Sequence, residues 1–233
     1  MAGVTPAIPI VALDCPDTDA ALALVATLGE TCRFYKVGSE LFAASGPEVV
    51  ERVRGEGCDV FLDLKLHDIP NTVAGAMRRI AAMGIRLATV HASGGRAMIE
   101  AAVDAAGADC GVLAVTILTS LDRAALSEIT GDPNVDPADS VLRLAELARS
   151  AGARGVVCSG KEAPLVRARL GSRLEILVPG IRLPGDSAGD QARIVTPEAA
   201  AHAGADYLVL GRSVTAAADP RRAMEIVRHR LQL

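Results

Sequence analysis

Lysine is almost missing from this chain: of 24 basic residues 21 are arginine, and only Lys36, Lys65 and Lys161 carry an amine. No apolar run approaches the roughly 18 residues that a bilayer span needs, so no membrane segment is expected. The N-terminal stretch MAGVTPAIPIVALD has neither a basic start nor a small-residue cleavage site, and no secretory leader is expected there. The cysteines (Cys15, Cys32, Cys58, Cys110 and Cys158) are scattered without a C-x-x-C pair. Four of them sit in or beside apolar runs and read as small reduced core residues, which favours the cytoplasm. No H-x-x-x-H is present and His67 and His91 stand apart in sequence, which argues against a zinc site. Positive charge is not in excess: a formal net charge of −4 gives no electrostatic case for nucleic acid or an anionic membrane as partner.

What is present is a soluble-domain composition, 50% hydrophobic and 22% charged, with short β-branched runs recurring along the chain. The runs are Ile8–Asp14, Arg33–Gly38, Cys58–Lys65, Leu87–Ala92, Gly111–Thr119, Gly155–Ser159, Glu175–Arg182 and Tyr207–Arg212. Each is too apolar for a solvated strand and suits a parallel strand covered on both faces. Between them lie segments of helical spacing, among them TDAALALVATLG, NTVAGAMRRIAAMG with Asn/Thr caps, SVLRLAELARSAG, TPEAAAHAG and DPRRAMEIVRHRL. Eight alternations without a linker or composition break predict an α/β fold, a single (β/α)8 TIM barrel over residues 1–233, close to the ~250 residues typical of that fold. A doubly wound open sheet is the alternative, but no G-x-G-x-x-G follows the first strand.

In a (β/α)8 barrel the chemistry sits at the C-terminal strand ends. Those ends read Asp14, Lys36, Asp63 with Lys65, His91, Thr119, Ser159, Arg182 and Arg212, a polar group on every strand. The third is the densest. In FLDLKLHDIPNT, strand alternation turns Asp63 and Lys65 toward the barrel axis above Phe61, with Leu62, Leu64 and Leu66 toward the helices. Asp68 follows just past the strand. A structural salt bridge is the plain alternative, yet buried ion pairs seldom stabilise more than apolar packing of equal volume. In a chain that writes arginine wherever charge alone is wanted, a lysine marks a place for a compact, proton-donating ammonium. Carboxylates beside an amine favour its ammonium form, which cannot attack a carbonyl but can deliver a proton to a developing carbanion. Proton transfer at carbon fits better than Schiff-base chemistry, which wants an amine depressed by desolvation. Across the mouth, LGRS with Gly211 and Arg212 and PGIR with Arg182 end the strands whose loops often bind phosphate. The stretch 183–195 that follows reads as a functional loop, a lid bending at Gly185 and Gly189, with Gln191 able to reach a phosphate.

DLKLHDIPNT resembles the D-x-K-x-x-D-I-P-x-T motif of the orotidine 5′-phosphate decarboxylase family, and the likeness extends over nearly the whole chain. It takes in IVALD, YKVG, VHASGG, VTILTS, PGIR, DQAR and VLGRS in order. The resemblance implies conversion of orotidine 5′-monophosphate to UMP and carbon dioxide in pyrimidine biosynthesis, without cofactor or metal. It implies that Lys65 protonates C6, that Asp63 lies beside the substrate carboxylate, and that Lys36 bridges toward a ribose bound by Asp14. Thr119 would join the substrate contacts and Ser159 would address the pyrimidine edge. Arg182, Gln191, Gly211 and Arg212 would hold the nucleotide, chiefly its phosphate. Asp68 and Thr72 would serve the neighbouring subunit's site in a homodimer. Asn71 stands where the family commonly has threonine, and the segment between Thr119 and Val141 is individual.

Two other readings are open. A magnesium-dependent sugar-phosphate decarboxylase or aldolase, resembling 3-keto-gulonate-phosphate decarboxylase or hexulose-phosphate synthase, shares the motif. Those enzymes carry an acid on the second strand, where this chain has Lys36, a charge that repels a divalent cation. A catalytically silent nucleotide-binding barrel is the third reading, against which stands the intact Asp63, Lys65 and Asp68 set.

Overall fold

Eight short parallel strands close on one another in chain order. In the computed structural model, which describes residues 6–183 and 195–233, these are β1 (Ile8–Ala12), β2 (Phe34–Gly38), β3 (Asp59–Leu66) and β4 (Leu87–His91). They continue as β5 (Gly111–Val115), β6 (Gly155–Val157), β7 (Glu175–Ile181) and β8 (Tyr207–Leu210), which returns to pair with β1. The barrel expected from the alternation of strands and helices is the one formed. Apart from the charged outer half of β3, the strands are largely buried on both faces, which is why most of them read as apolar runs and not as alternating ones.

Alternation sorts the side chains into two cores. Val11, Tyr35, Val37, Val60, Leu62 and Val90 point outward into the layer between sheet and helices. Ile10, Phe34, Phe61, Leu87, Leu113, Leu177, Tyr207 and Val209 point inward and fill the barrel. Three of the chain's five aromatic rings are in this inner set. Phe34 meets Tyr207 edge-on at 6.2 Å, and the Arg86 guanidinium lies 5.0 Å above the Phe34 ring. Burying each large apolar side chain contributes about 1.5–3 kcal/mol. This packing fills the barrel beneath the C-terminal mouth, where the polar strand-end groups gather.

Helix ends follow their capping residues. Asp17 caps the helix Thr18–Leu28 through Ala20 N at 2.8 Å, and Asp219 caps Pro220–Leu231 through Arg222 N at 2.9 Å. Thr196 caps Pro197–His202 as its Thr-Pro-x-x pattern predicts. Other boundaries differ from the sequence expectation. The helix after β3 runs Pro70–Ala82 with Ile69 at its cap, so Asn71 and Thr72 lie inside the first turn; Pro70, whose missing N–H costs nothing there, starts it. The helix expected at Ser140 begins at Pro137 under an Asp136 cap. A helix at Arg123–Thr130, capped by Asp122, occupies the individual segment after β5. β5 ends at Val115 and β6 at Val157, short of the expected Thr119 and Ser159.

Candidate active site at the barrel mouth

The open mouth is a cavity of about 520 Å³, within the range of a nucleotide-sized site. Its floor is apolar, formed by Ala12, Phe61, Val115, Val157, Leu177 and Val209. Its walls are the expected strand-end residues Asp14, Lys36, Asp63, Lys65, Thr119, Arg182, Gly211 and Arg212. They come from the ends of β1, β2, β3, β5, β7 and β8. The closed strand order puts β3, with its acid and amine, four strands from β7, so carboxylate and arginine sides face each other across the mouth.

Two ion pairs organise the acidic side. Lys65 Nζ lies 2.9 Å from Asp63 Oδ2, and Lys36 Nζ lies 3.0 Å from Asp14 Oδ1. Asp63 and Lys36 are the sheltered members, each 13% exposed at the side chain, whereas Lys65 at 36% and Asp14 at 59% reach into the cavity. Pairs of this exposure add little net stability. Their effect is to fix where two ammonium groups and two carboxylates stand.

Lys65 also carries backbone strain. Its φ of 51° is left-handed, shared among non-glycine residues of the described chain only with Gln232 at the C-terminal helix end. At this residue the β3–β4 pairing slips register between Leu62 and Leu66. A matching irregularity interrupts β7–β8 between Val178 and Ile181, where the left-handed residue is Gly180, φ 74°. Glycine adopts that conformation freely, but a lysine there costs about 1–2 kcal/mol. A cost retained at the lip of the cavity is the signature of a functional constraint. Thr89, on β4 and only 1% exposed, supports the bend: its Oγ1 accepts from Lys65 N at 2.9 Å and donates to Asp63 Oδ1 at 2.9 Å.

Some expected residues lie elsewhere. Ser159 is 1% exposed and donates to the Glu162 carboxylate while accepting from Lys161 N at 3.3 Å; it is not in the cavity wall. The family resemblance gave Ser159 its part at the pyrimidine edge; the strand run expected to reach it ends at Val157, and the chain turns there toward the helix Ala163–Leu170. His91 likewise stays out of the wall, its ring 5.3 Å from that of His67. Burial pushes the His91 pKa below the ordinary value of 6.5, helped by His67 and Lys65. Asp68 and Thr72 are exposed and line no part of their own chain's cavity; Asp68 Oδ1 accepts from Ile69 N at 2.6 Å. Gln191 and the loop glycines Gly185 and Gly189 lie outside the described residues. Ser120 and Thr215 line the cavity without having been anticipated, because both lie past strand ends, Ser120 in a loop and Thr215 in the short helix Arg212–Thr215, where strand alternation gives no guide. Among the described residues no three His, Cys, Asp or Glu side chains cluster as metal ligands, and Asp14 and Asp63 both hold lysines.

Comparison with known proteins agrees with this fold. Residues 8–227 match the model of the "Orotidine 5'-phosphate decarboxylase / HUMPS family". A protein of Halorhodospira halophila named orotidine 5′-phosphate decarboxylase is 51% identical over 219 residues, covering 92% of this chain and 91% of the relative. One of the same name from Thermobifida fusca is 50% identical, covering 95% of this chain and 94% of that one. The crystal structure of orotidine 5′-phosphate decarboxylase from Lactobacillus acidophilus superposes with a TM-score of 0.86 at 35% identity, covering 98% of this chain and all of the other. By motif, barrel and this likeness together, the chain belongs to the orotidine 5′-phosphate decarboxylase family.

Proposed function

We propose that this protein decarboxylates orotidine 5′-monophosphate to UMP without metal or cofactor, with Lys65 as the proton donor. The observation that carries the reading is the Asp63–Lys65 pair, an ammonium held 2.9 Å from a carboxylate on a strained turn at the cavity lip. The pyrimidine sits over the apolar floor with its carboxylate beside Asp63. The bond from C6 to the carboxyl carbon breaks, its electron pair stays on C6, and carbon dioxide departs. Lys65 Nζ gives a proton to C6, forming the C–H bond of UMP, and the neutral amine recovers a proton from solvent. An ammonium in place as the charge develops stabilises the carbanion electrostatically, without reorganisation during the reaction. Such reactions ask for about 8–23 kcal/mol of barrier lowering.

The remaining walls fit the other parts of the nucleotide. Asp14, paired with Lys36, accepts from the ribose hydroxyls. Arg182 and Arg212, with the Gly211 amide, hold the phosphate on the side opposite the chemistry, and Gln191 adds to that contact. Binding energy from so remote a group can be used to orient the reacting centre. Thr119 and Ser120 offer hydroxyls to the pyrimidine edge, the part first given to Ser159. Asp68 and Thr72, exposed and absent from the lining of their own cavity, complete the site of a second copy in a homodimer. The exposed Ile69 beside them, 67% accessible, gives that contact an apolar centre. The cytoplasm is the proposed compartment, supported by cysteines that are free, four of them buried.

The test is the fall in orotidine-monophosphate absorbance on adding purified protein, with and without a chelator. Conversion at equal rates in both is expected. No conversion removes the decarboxylase reading, and conversion abolished by chelator favours the magnesium-dependent alternative, against which Lys36 on β2 stands.

A further inference from the structure

Thr89 occupies a position with no substrate-facing surface, yet it touches both members of the proton-donating pair. It is 1% exposed on β4 and is absent from the cavity wall. Its hydroxyl bridges two groups whose polarity leaves no freedom. The Lys65 amide can only donate, so Thr89 Oγ1 accepts from it at 2.9 Å. The Asp63 carboxylate can only accept, so the hydroxyl proton goes to Oδ1 at 2.9 Å. The other Asp63 oxygen receives Lys65 Nζ at 2.9 Å. Main chain, hydroxyl, carboxylate and ammonium therefore form one closed ring at the point where β3 and β4 lose register.

We infer that Thr89 is the positioning residue of this site: its single hydroxyl holds the left-handed turn at Lys65 and the orientation of Asp63, and so aims the ammonium. The inference rests on the decarboxylase reading and deepens it. Two of the three bonds that set Lys65 relative to Asp63 pass through Oγ1. Without it the strained turn loses its acceptor and Asp63 Oδ1 is left without its donor where solvent access is small. The arginines of the mouth follow β7 and β8, three and four strands around the barrel from β4, and keep their grip on phosphate. Loss of the hydroxyl should therefore act on turnover and spare binding.

The experiment compares Thr89→Val, which keeps shape and removes the hydroxyl, with Thr89→Ser, which keeps the hydroxyl and removes the methyl. Expected for Thr89→Val is a kcat reduced by about 10- to 100-fold, the usual cost of ångström-scale misplacement, with UMP affinity held within about threefold. Thr89→Ser should recover most of the turnover. Thr89→Val turning over like wild type, or Thr89→Ser impaired as deeply as Thr89→Val, overturns the inference, the second because volume and not the hydroxyl would then matter. UMP affinity falling in step with kcat overturns it as well. If Thr89→Val does not fold, Thr89→Ala against Thr89→Ser carries the same comparison, and equal turnover in these two overturns it. A wild-type protein inactive on orotidine monophosphate would bring down the decarboxylase reading itself; an active wild type with an equally active valine variant brings down only the role of Thr89.

Discussion

The Lys36 ammonium fills the space that a side chain at position 38 would need. A Cβ built on Gly38 would fall 2.8 Å from Lys36 Nζ and 3.7 Å from Asp14 Oδ1. Gly38 has φ −93° and ψ −178°, an ordinary extended conformation, so what a side chain there would disturb is the place of the Lys36 ammonium and not the backbone. Alanine there loses less entropy on folding, which alone stabilises by about 0.4–1 kcal/mol. Gly38→Ala should therefore melt no lower than wild type while displacing Lys36, with kcat/KM down by about tenfold or more. A thermal melt beside a steady-state assay checks it, and a lower melting temperature with full activity would contradict it.

Lys65 invites a three-way comparison. Lys65→Ala should lower kcat by at least the roughly 10²–10⁴-fold that general acids contribute, while UMP still binds. Lys65→Arg should not restore it, because guanidinium does not give up its proton. Lys65→Gly should be as inactive as alanine but more stable than it by about 1 kcal/mol, since φ 51° suits glycine. Equal melting temperatures for the glycine and alanine variants would show that the turn stores no strain.

Arg212, at the end of β8 in the cavity wall, is a phosphate ligand in the proposed complex. Arg212→Ala removes a charge-assisted bond of about 1.5–3 kcal/mol, so KM should rise about 10- to 100-fold. Orotidine, which lacks the phosphate, should bind variant and wild type alike. Equal weakening toward nucleoside and nucleotide would move Arg212 away from the phosphate.

Most of the barrel and of its mouth was legible in the sequence, for one physical reason. Strand alternation fixes side-chain direction, and it carried Asp63 and Lys65 correctly above Phe61 and Lys36 onto the same wall. It failed where strands stop. The strand run written to Ser159 stops two residues earlier, at Val157, while the pyrimidine role of Ser159 came from the family resemblance; Ser120 follows β5 in a loop. The left-handed Lys65 was invisible, since no lysine announces a positive φ. Thr89 could have been found: it shares inward parity with Leu87, next to the charged strand. Asp122 and Asp136, each followed by helix-forming residues, were available signals for the two helix starts that were missed.

The His91 and His67 rings, 5.3 Å apart beside Lys65, predict an acid sensitivity. The His91 pKa in the fold lies below its ordinary 6.5, chiefly from burial and then from His67 and Lys65. Between those two values the unfolded chain binds more protons, so stability rises with pH there and is lost as pH falls through 6.5. Lowering pH from 7.5 to 5.5 should therefore depress the melting temperature of wild type more than that of His91→Asn, an interval of about two units spanning the histidine titration. Parallel melting curves for the two would exclude His91 as the source.

Asp68 provides the test of the proposed homodimer. It begins the exposed turn before the helix Pro70–Ala82 and does not line its own cavity. If it serves the neighbouring site, every site takes Lys65 from one copy and Asp68 from the other. Asp68→Ala and Lys65→Ala proteins are then each inactive alone. In a mixed dimer, one site receives Lys65 from the Asp68→Ala copy and Asp68 from the Lys65→Ala copy, and is intact; the second site lacks both. Random exchange makes half the dimers mixed with one good site of two, so mixing equal amounts should restore about a quarter of wild-type activity. If Asp68 acted within its own chain, no combination of these subunits would contain an intact site, and the mixture would stay as inactive as its components.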